Sequence, residues 1–197
     1  WLLDEGFDAI VLDGTREEDE LAIAEATEVC HPSERIKPLA YVVNFERVHT
    51  RFPMMEKYWD MERVFVAADE TSAIKNHKSR RAAAMHELCT QPRYVVLLNG
   101  TPMEQGPQDL WSQMKCLDTY GTVWGKSFGD FAATWLDMYT AGKYRVHEDL
   151  QMKFELLISS CSIRYIRPEA DQFVGKDKTF RHVTLRPTKQ IYEQTIN

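Results

Sequence analysis

Two short runs of this sequence are apolar without a break: Val64-Phe65-Val66-Ala67-Ala68 and Tyr94-Val95-Val96-Leu97-Leu98. Side chains of a strand alternate between two faces. A strand with no polar face therefore predicts a sheet covered on both sides, the usual state of parallel sheets. Two further apolar runs lie upstream, Ala9-Ile10-Val11-Leu12, closed by Asp13-Gly14, and Leu39-Ala40-Tyr41-Val42-Val43-Asn44. Helical patterns separate them. Thr15 and Glu18 have the spacing of a capping box and precede Leu21, Ile23, Ala24 and Val29. Pro53 marks the start of a helix over 52–59. Residues 77–90 predict a helix that buries Ala82, Ala83, Met85, Leu88 and Cys89. Strand and helix alternate, which predicts an α/β fold on a parallel sheet.

From Pro107 onward the pattern is mainly helical. Residues 107–117 place Leu110, Trp111, Met114 and Leu117 on one face, 128–139 form an aromatic-rich helix, and 147–159 turn Leu150, Phe154, Leu157 and Ile158 inward. Beyond 163–166 a loop through Pro168 and Gly175 leads to the strand-like His182-Val183-Thr184-Leu185.

Composition narrows the class. Hydrophobic residues are 44% and charged residues 27% of 197, which excludes a disordered chain. No apolar run approaches the ~18 residues of a membrane span. The opening Trp1-Leu2-Leu3-Asp4-Glu5 is acidic where a secretory leader is basic, and the chain is expected to be intracellular, in cytoplasm or nucleus. Net charge is −6 but uneven: residues 1–31 hold ten acids and one base, whereas 141–189 hold ten bases and six acids. The acidic start reads as a solvated helix face, and the basic stretch as either solvated surface or a surface toward a polyanion. Cys30, Cys89, Cys116 and Cys161 share no short spacing and read as free thiols.

In an open parallel sheet, ligands bind at the carboxyl ends of the strands. Here one buried run ends in Asp69-Glu70-Thr71-Ser72-Ala73-Ile74-Lys75-Asn76, and the other in Asn99-Gly100-Thr101-Pro102-Met103, followed by Pro107-Gln108-Asp109-Leu110-Trp111. Adjacent carboxylates after a buried strand suit nucleotide hydrolysis, since one can hold a hydrated Mg²⁺ and the other orient or deprotonate water. Acids also end strands simply because loops are polar.

These residues together resemble motifs II and III of the first RecA-like domain of Swi/Snf-type ATPases, in helicase superfamily two. The Asp-Glu box runs into Ile74-Lys75-Asn76, and a Gly-Thr-Pro turn leads to a Pro-x-Asp-Leu-Trp helix start. Weaker matches extend over most of the chain: Tyr41-Val42-Val43-Asn44-Phe45-Glu46; the aromatics Phe128, Phe131 and Tyr139 of a helical insertion; Ile163-Arg164-Tyr165-Ile166-Arg167; and Val183, Leu185, Gln190 and Tyr192. The resemblance implies a RecA-like parallel sheet flanked by helices over 1–120, a helical insertion over 121–180, and over 181–197 a linker toward a second RecA-like domain. It implies ATP and Mg²⁺ as cofactors, with Asp69 on Mg²⁺ through water and Glu70 activating the hydrolytic water. Gly100, Thr101 and Pro102 would couple nucleotide state to nucleic acid. Double-stranded DNA is the implied partner, with Lys75, Arg164 and Arg167 as possible contacts. Lys75 reads equally as a surface lysine or an acid's partner, and the arginines as packing against the second domain. A restriction- or repair-type helicase and a degenerate RecA-like binding module are the alternatives.

Three positions depart from the family pattern: Ser72 stands for His, Ala73 for Arg and Asn99 for Thr. They bear on the coupling more than on the carboxylates. No G-x-x-x-x-G-K-[ST] precedes Asp69, and Gly121-Thr122-Val123-Trp124-Gly125-Lys126-Ser127 has the wrong glycine spacing and position. The phosphate-binding loop is expected before Trp1 and the second domain after Asn197. The 197 residues alone are then expected neither to bind ATP tightly nor to hydrolyse it, and to be less stable than a longer chain that restores the loop's strand.

Overall fold

A computed structural model describes residues 6–28 and 38–164. Val29, Cys30, the loop at Pro32, Arg167, the stretch through Pro168 and Gly175, and residues 181–197 lie outside them. The chain divides into two compact units, Trp1–Glu155 and Leu156–Asn197.

The first unit is mixed α/β, and its order alternates as the sequence predicts: β1 (Asp8–Val11), α1 (Arg16–Glu28), β2 (Leu39–Val42), α2 (Phe45–Tyr58), β3 (Phe65–Ala68), α3 (Arg80–Leu88) and β4 (Tyr94–Leu97). Strands β1 and β2 pair in parallel, as do β3 and β4, with Phe65 opposite Tyr94 and Ala68 opposite Leu97. Among the described residues these remain two separate pairs of strands. Helices α1 and α2 pack on β1 and β2 through Leu12, Ile23, Met54 and Met55. Helices α2 and α3 cover β3 and β4 through Val48, Phe52, Ala82, Met85 and Leu88, against Val66, Val95 and Leu97.

Cover on both faces, expected for β3 and β4, is not what the structure shows. Phe65 is 59% and Tyr94 58% exposed, and Val96 and Leu98 share that outward side. The described helices pack on one face only, so the apolar residues of the other face meet solvent.

Helix α1 starts as expected. Glu18 N donates to Thr15 Oγ1 and Thr15 N to Glu18 Oε2, at 3.3 and 2.7 Å. The start of α2 is corrected: it begins at Phe45, where Asn44 accepts from Glu46 N at 3.0 Å, and Pro53 sits inside it. Proline costs an interior hydrogen bond, yet the apolar face around it is deep enough to hold the helix together. Helix α3 begins at Arg80 rather than His77, because Ser79 accepts from Ala82 N and sets the first turn. Ala84 is buried and Ala83 exposed, reversing one expected pair.

Past β4, a 3-10 turn at Pro107–Asp109 leads into the short helix α4 (Leu110–Met114), which ends before Leu117. Helix α5 (Phe128–Trp135) opens with a capping box between Ser127 and Asp130. It stops four residues short of Tyr139. Leu136–Thr140 (β5) and Lys143–Val146 (β6) instead form an antiparallel hairpin through Gly142, whose φ is 74°. Leu136 opposite Val146 and Met138 opposite Tyr144 are apolar cross-strand pairs that favour strands, and Gly142 supplies the left-handed turn that a helix would not need. Helix α6 (Gln151–Cys161) follows a 3-10 turn, and Phe154 is its buried residue. Trp124, Phe131, Trp135 and Phe154 cluster with ring centroids 5.4 to 6.4 Å apart.

Candidate functional site

Strand β3 delivers Asp69 and Glu70 to its carboxyl end, both exposed. Glu70 N–H donates to Asp69 Oδ1 at 2.9 Å, which engages one oxygen of that exposed carboxylate. Glu70 adopts φ 53° and ψ 52°, the left-handed region, and among the described residues no other non-glycine has positive φ. This conformation costs about 1 kcal/mol for a residue with a Cβ. It reverses the chain into the 3-10 turn Thr71–Ile74.

Strand β4 ends beside it. Leu98 N donates to Ala68 O at 2.8 Å, and Thr71 N to Leu98 O at 3.1 Å, so the two exits stay hydrogen-bonded past the strands. The loop 99–102 therefore lies next to the Asp-Glu turn. Gly100, Thr101 and Pro102 are exposed, and a Cβ at Gly100 would meet nothing within 4 Å, so the chain itself makes no close approach there. Thr101 N donates to Asn99 Oδ1 at 2.9 Å.

A polar cluster ties these exits to α4. Gln113 Oε1 accepts from Thr71 Oγ1 at 2.9 Å and from Asn99 Nδ2 at 2.8 Å. Gln113 Nε2 donates to Pro102 O at 2.7 Å and to Asp109 O at 2.9 Å. Thr71 and Gln113 are 1% and 3% exposed. The hydroxyl that links the two loops thus belongs to Thr71, and Asn99 reaches it with its amide. Thr71 lies inside the Asp-Glu run without being singled out there, and Gln113 carries neither motif nor spacing. A glutamine between Trp111 and Met114 on an apolar helix was the available signal, since a buried amide needs partners.

Lys75 is half-buried and bonds Glu104 Oε2 at 2.6 Å, a partnership that raises its pKa and lowers that of Glu104. Its acid-paired reading is the one the structure shows. Arg164 is exposed in the second unit. Behind the site, His86 Nε2 lies 2.8 Å from Ser112 O. A carbonyl only accepts, so Nε2 carries the proton. Burial lowers the pKa of both His86 and His77, whose ring stacks on Phe128 at 4.6 Å. Cys89 and Cys116 are buried free thiols, and hydrogen bonding between them, with burial, holds the Cys116 pKa far above the usual thiol range.

An exposed carboxylate such as Asp69 is of the type that accepts from metal-bound water, but among the described residues no group of three or more His, Cys, Asp or Glu converges to hold a metal ion directly. Lys126 and Ser127 do not form a phosphate cradle, because Ser127 Oγ accepts from Asp130 N at 3.1 Å to cap α5.

No protein-family model matches the chain. Over 82 residues, 40% of its length, it is 34% identical to the SWI/SNF-related matrix-associated actin-dependent regulator of chromatin subfamily A-like protein 1 of Drosophila melanogaster. The matched stretch spans about a tenth (11%) of that relative. This likeness supports a distant relationship to SWI/SNF-related proteins. No helix among the described residues is long and apolar enough to cross a membrane.

Proposed function

We propose that these residues form part of an ATP-dependent motor of the Swi/Snf type that moves on double-stranded DNA, and that they belong to a RecA-like domain. The observation that carries the reading is the pairing of β3 with β4, which sets Asp69 and Glu70 beside the loop 99–102. The similarity to a SWI/SNF-related protein supports it, and so does the order of the two motifs. A nuclear location accords with that relative's printed name as a regulator of chromatin.

Bound Mg²⁺-ATP would supply the phosphoanhydride and the charge neutralisation. Asp69, at the strand's end, would hold the hydrated Mg²⁺ as an exposed carboxylate. Glu70, the next residue and likewise exposed, would take the proton of the attacking water. Gly100 leaves the loop open to a ligand, and Pro102 stiffens its exit. Lys75 would meet a DNA phosphate only after leaving Glu104. Arg164 and Arg167 are proposed DNA contacts on basic chemistry alone. The triphosphate cradle is proposed to come from residues other than these, and a second RecA-like domain to be the partner.

The test is phosphate release by the protein of the complete reading frame, with and without duplex DNA. DNA-stimulated release is expected, and the 197 residues alone should give none. Nucleotide-independent DNA binding without phosphate release from the complete protein would point to a binding module instead.

A further inference from the structure

Gln113 lies outside both loops, yet its amide is where they meet. Its orientation is set by its neighbours. Pro102 O and Asp109 O can only accept, so the end facing them at 2.7 and 2.9 Å is the NH₂. Oε1 then faces two donors, the Thr71 hydroxyl at 2.9 Å and Asn99 Nδ2 at 2.8 Å. The Asn99 amide is oriented independently, because Thr101 N–H must donate to Oδ1. Asn99 Nδ2 also donates to Thr71 Oγ1 at 3.3 Å. All four hydrogen-bonding positions of Gln113 are filled, inside a site almost closed to water.

A filled buried amide resists partial opening, since each broken bond leaves an orphan away from water. The loop 99–102 and Thr71 therefore move together or not at all. Thr71 follows Glu70, whose left-handed backbone is the strained joint of the turn. Where a threonine would offer one donor at position 99, asparagine offers two and spends them on Thr71 and Gln113.

We propose that Gln113 is a positioning residue, with Asn99 as its second arm. It clamps the loop 99–102 to the Asp-Glu turn, so that a ligand displacing the loop also turns Glu70. The catalytic consequence rests on the reading of Glu70 given above; the mechanical clamp does not.

Amide hydrogen exchange of the 197-residue chain tests the clamp. Gln113→Met keeps the length and loses every bond. It should speed exchange over both 69–75 and 98–104 about tenfold more than Met114→Ala, a cavity variant on the same helix that serves as the control for lost packing. Thr71→Val should loosen both segments likewise, whereas Thr71→Ser, which keeps the hydroxyl, should retain their protection. The proposal is overturned if Gln113→Met affects only 107–117. It is also overturned if Met114→Ala loosens the two loops as much, or if Thr71→Ser behaves like Thr71→Val. Phosphate release by the complete protein is a separate readout. A clamp that passes beside a protein that releases no phosphate sinks the motor reading alone, and the reverse result sinks the clamp alone.

Discussion

Single side chains in this chain hold loops by answering backbone groups. Asp118 accepts from the N–H groups of Thr122, Val123 and Trp124 at 2.9, 2.7 and 2.8 Å. Burial pushes its pKa up, but the three N–H groups prevail and hold it below the usual value. Asp118→Ala should cost about 1 to 2 kcal/mol by urea denaturation, the scale of a lost loop cap. His86 offers a pH test. Its folded pKa is depressed by burial, so the unfolded chain takes up a proton first as pH falls. Its contribution is complete above the unfolded value of about 6.5 and is lost as pH drops through the folded value. Urea midpoints should therefore fall between pH 7 and 5, and His86→Gln should flatten that decline.

At the scale of elements, what could be read from sequence was what neighbours in sequence determine. The Thr15 and Glu18 cap forms as its spacing predicts, and both apolar runs become paired strands. Pro53 misled because proline is a good start signal and Asn44, nine residues earlier, is the actual cap. Pro53 is exposed, so Pro53→Ala should restore an interior hydrogen bond without losing packing. It should raise stability by about 1 to 2 kcal/mol, less than the ~3 of propensity alone because the unfolded chain gains freedom. The hairpin 136–146 was hidden because its aromatics continue those of α5, and only Gly142 breaks the pattern. Cover of β3 and β4 is a tertiary property that strand composition does not encode. Phe65→Ala should cost under about 1 kcal/mol and Val66→Ala about 1 to 2 kcal/mol in thermal denaturation, since only Val66 faces the helices.

For the whole molecule, the carboxylates and the Gly-Thr-Pro loop were legible as motifs because strand exits are local in sequence. Gln113 was not, because it completes the site from a helix forty-two positions beyond Thr71 and carries no motif of its own. Glu70 is proposed as the base of a nucleotide hydrolase built on these two exits. That role is tested most directly by Glu70→Gln in the protein of the complete reading frame, comparing DNA-stimulated phosphate release with nucleotide affinity. Release should fall by about 100-fold or more while affinity stays within a few-fold, because a neutral amide keeps the shape and loses the proton acceptor. Unchanged release in the variant would contradict it.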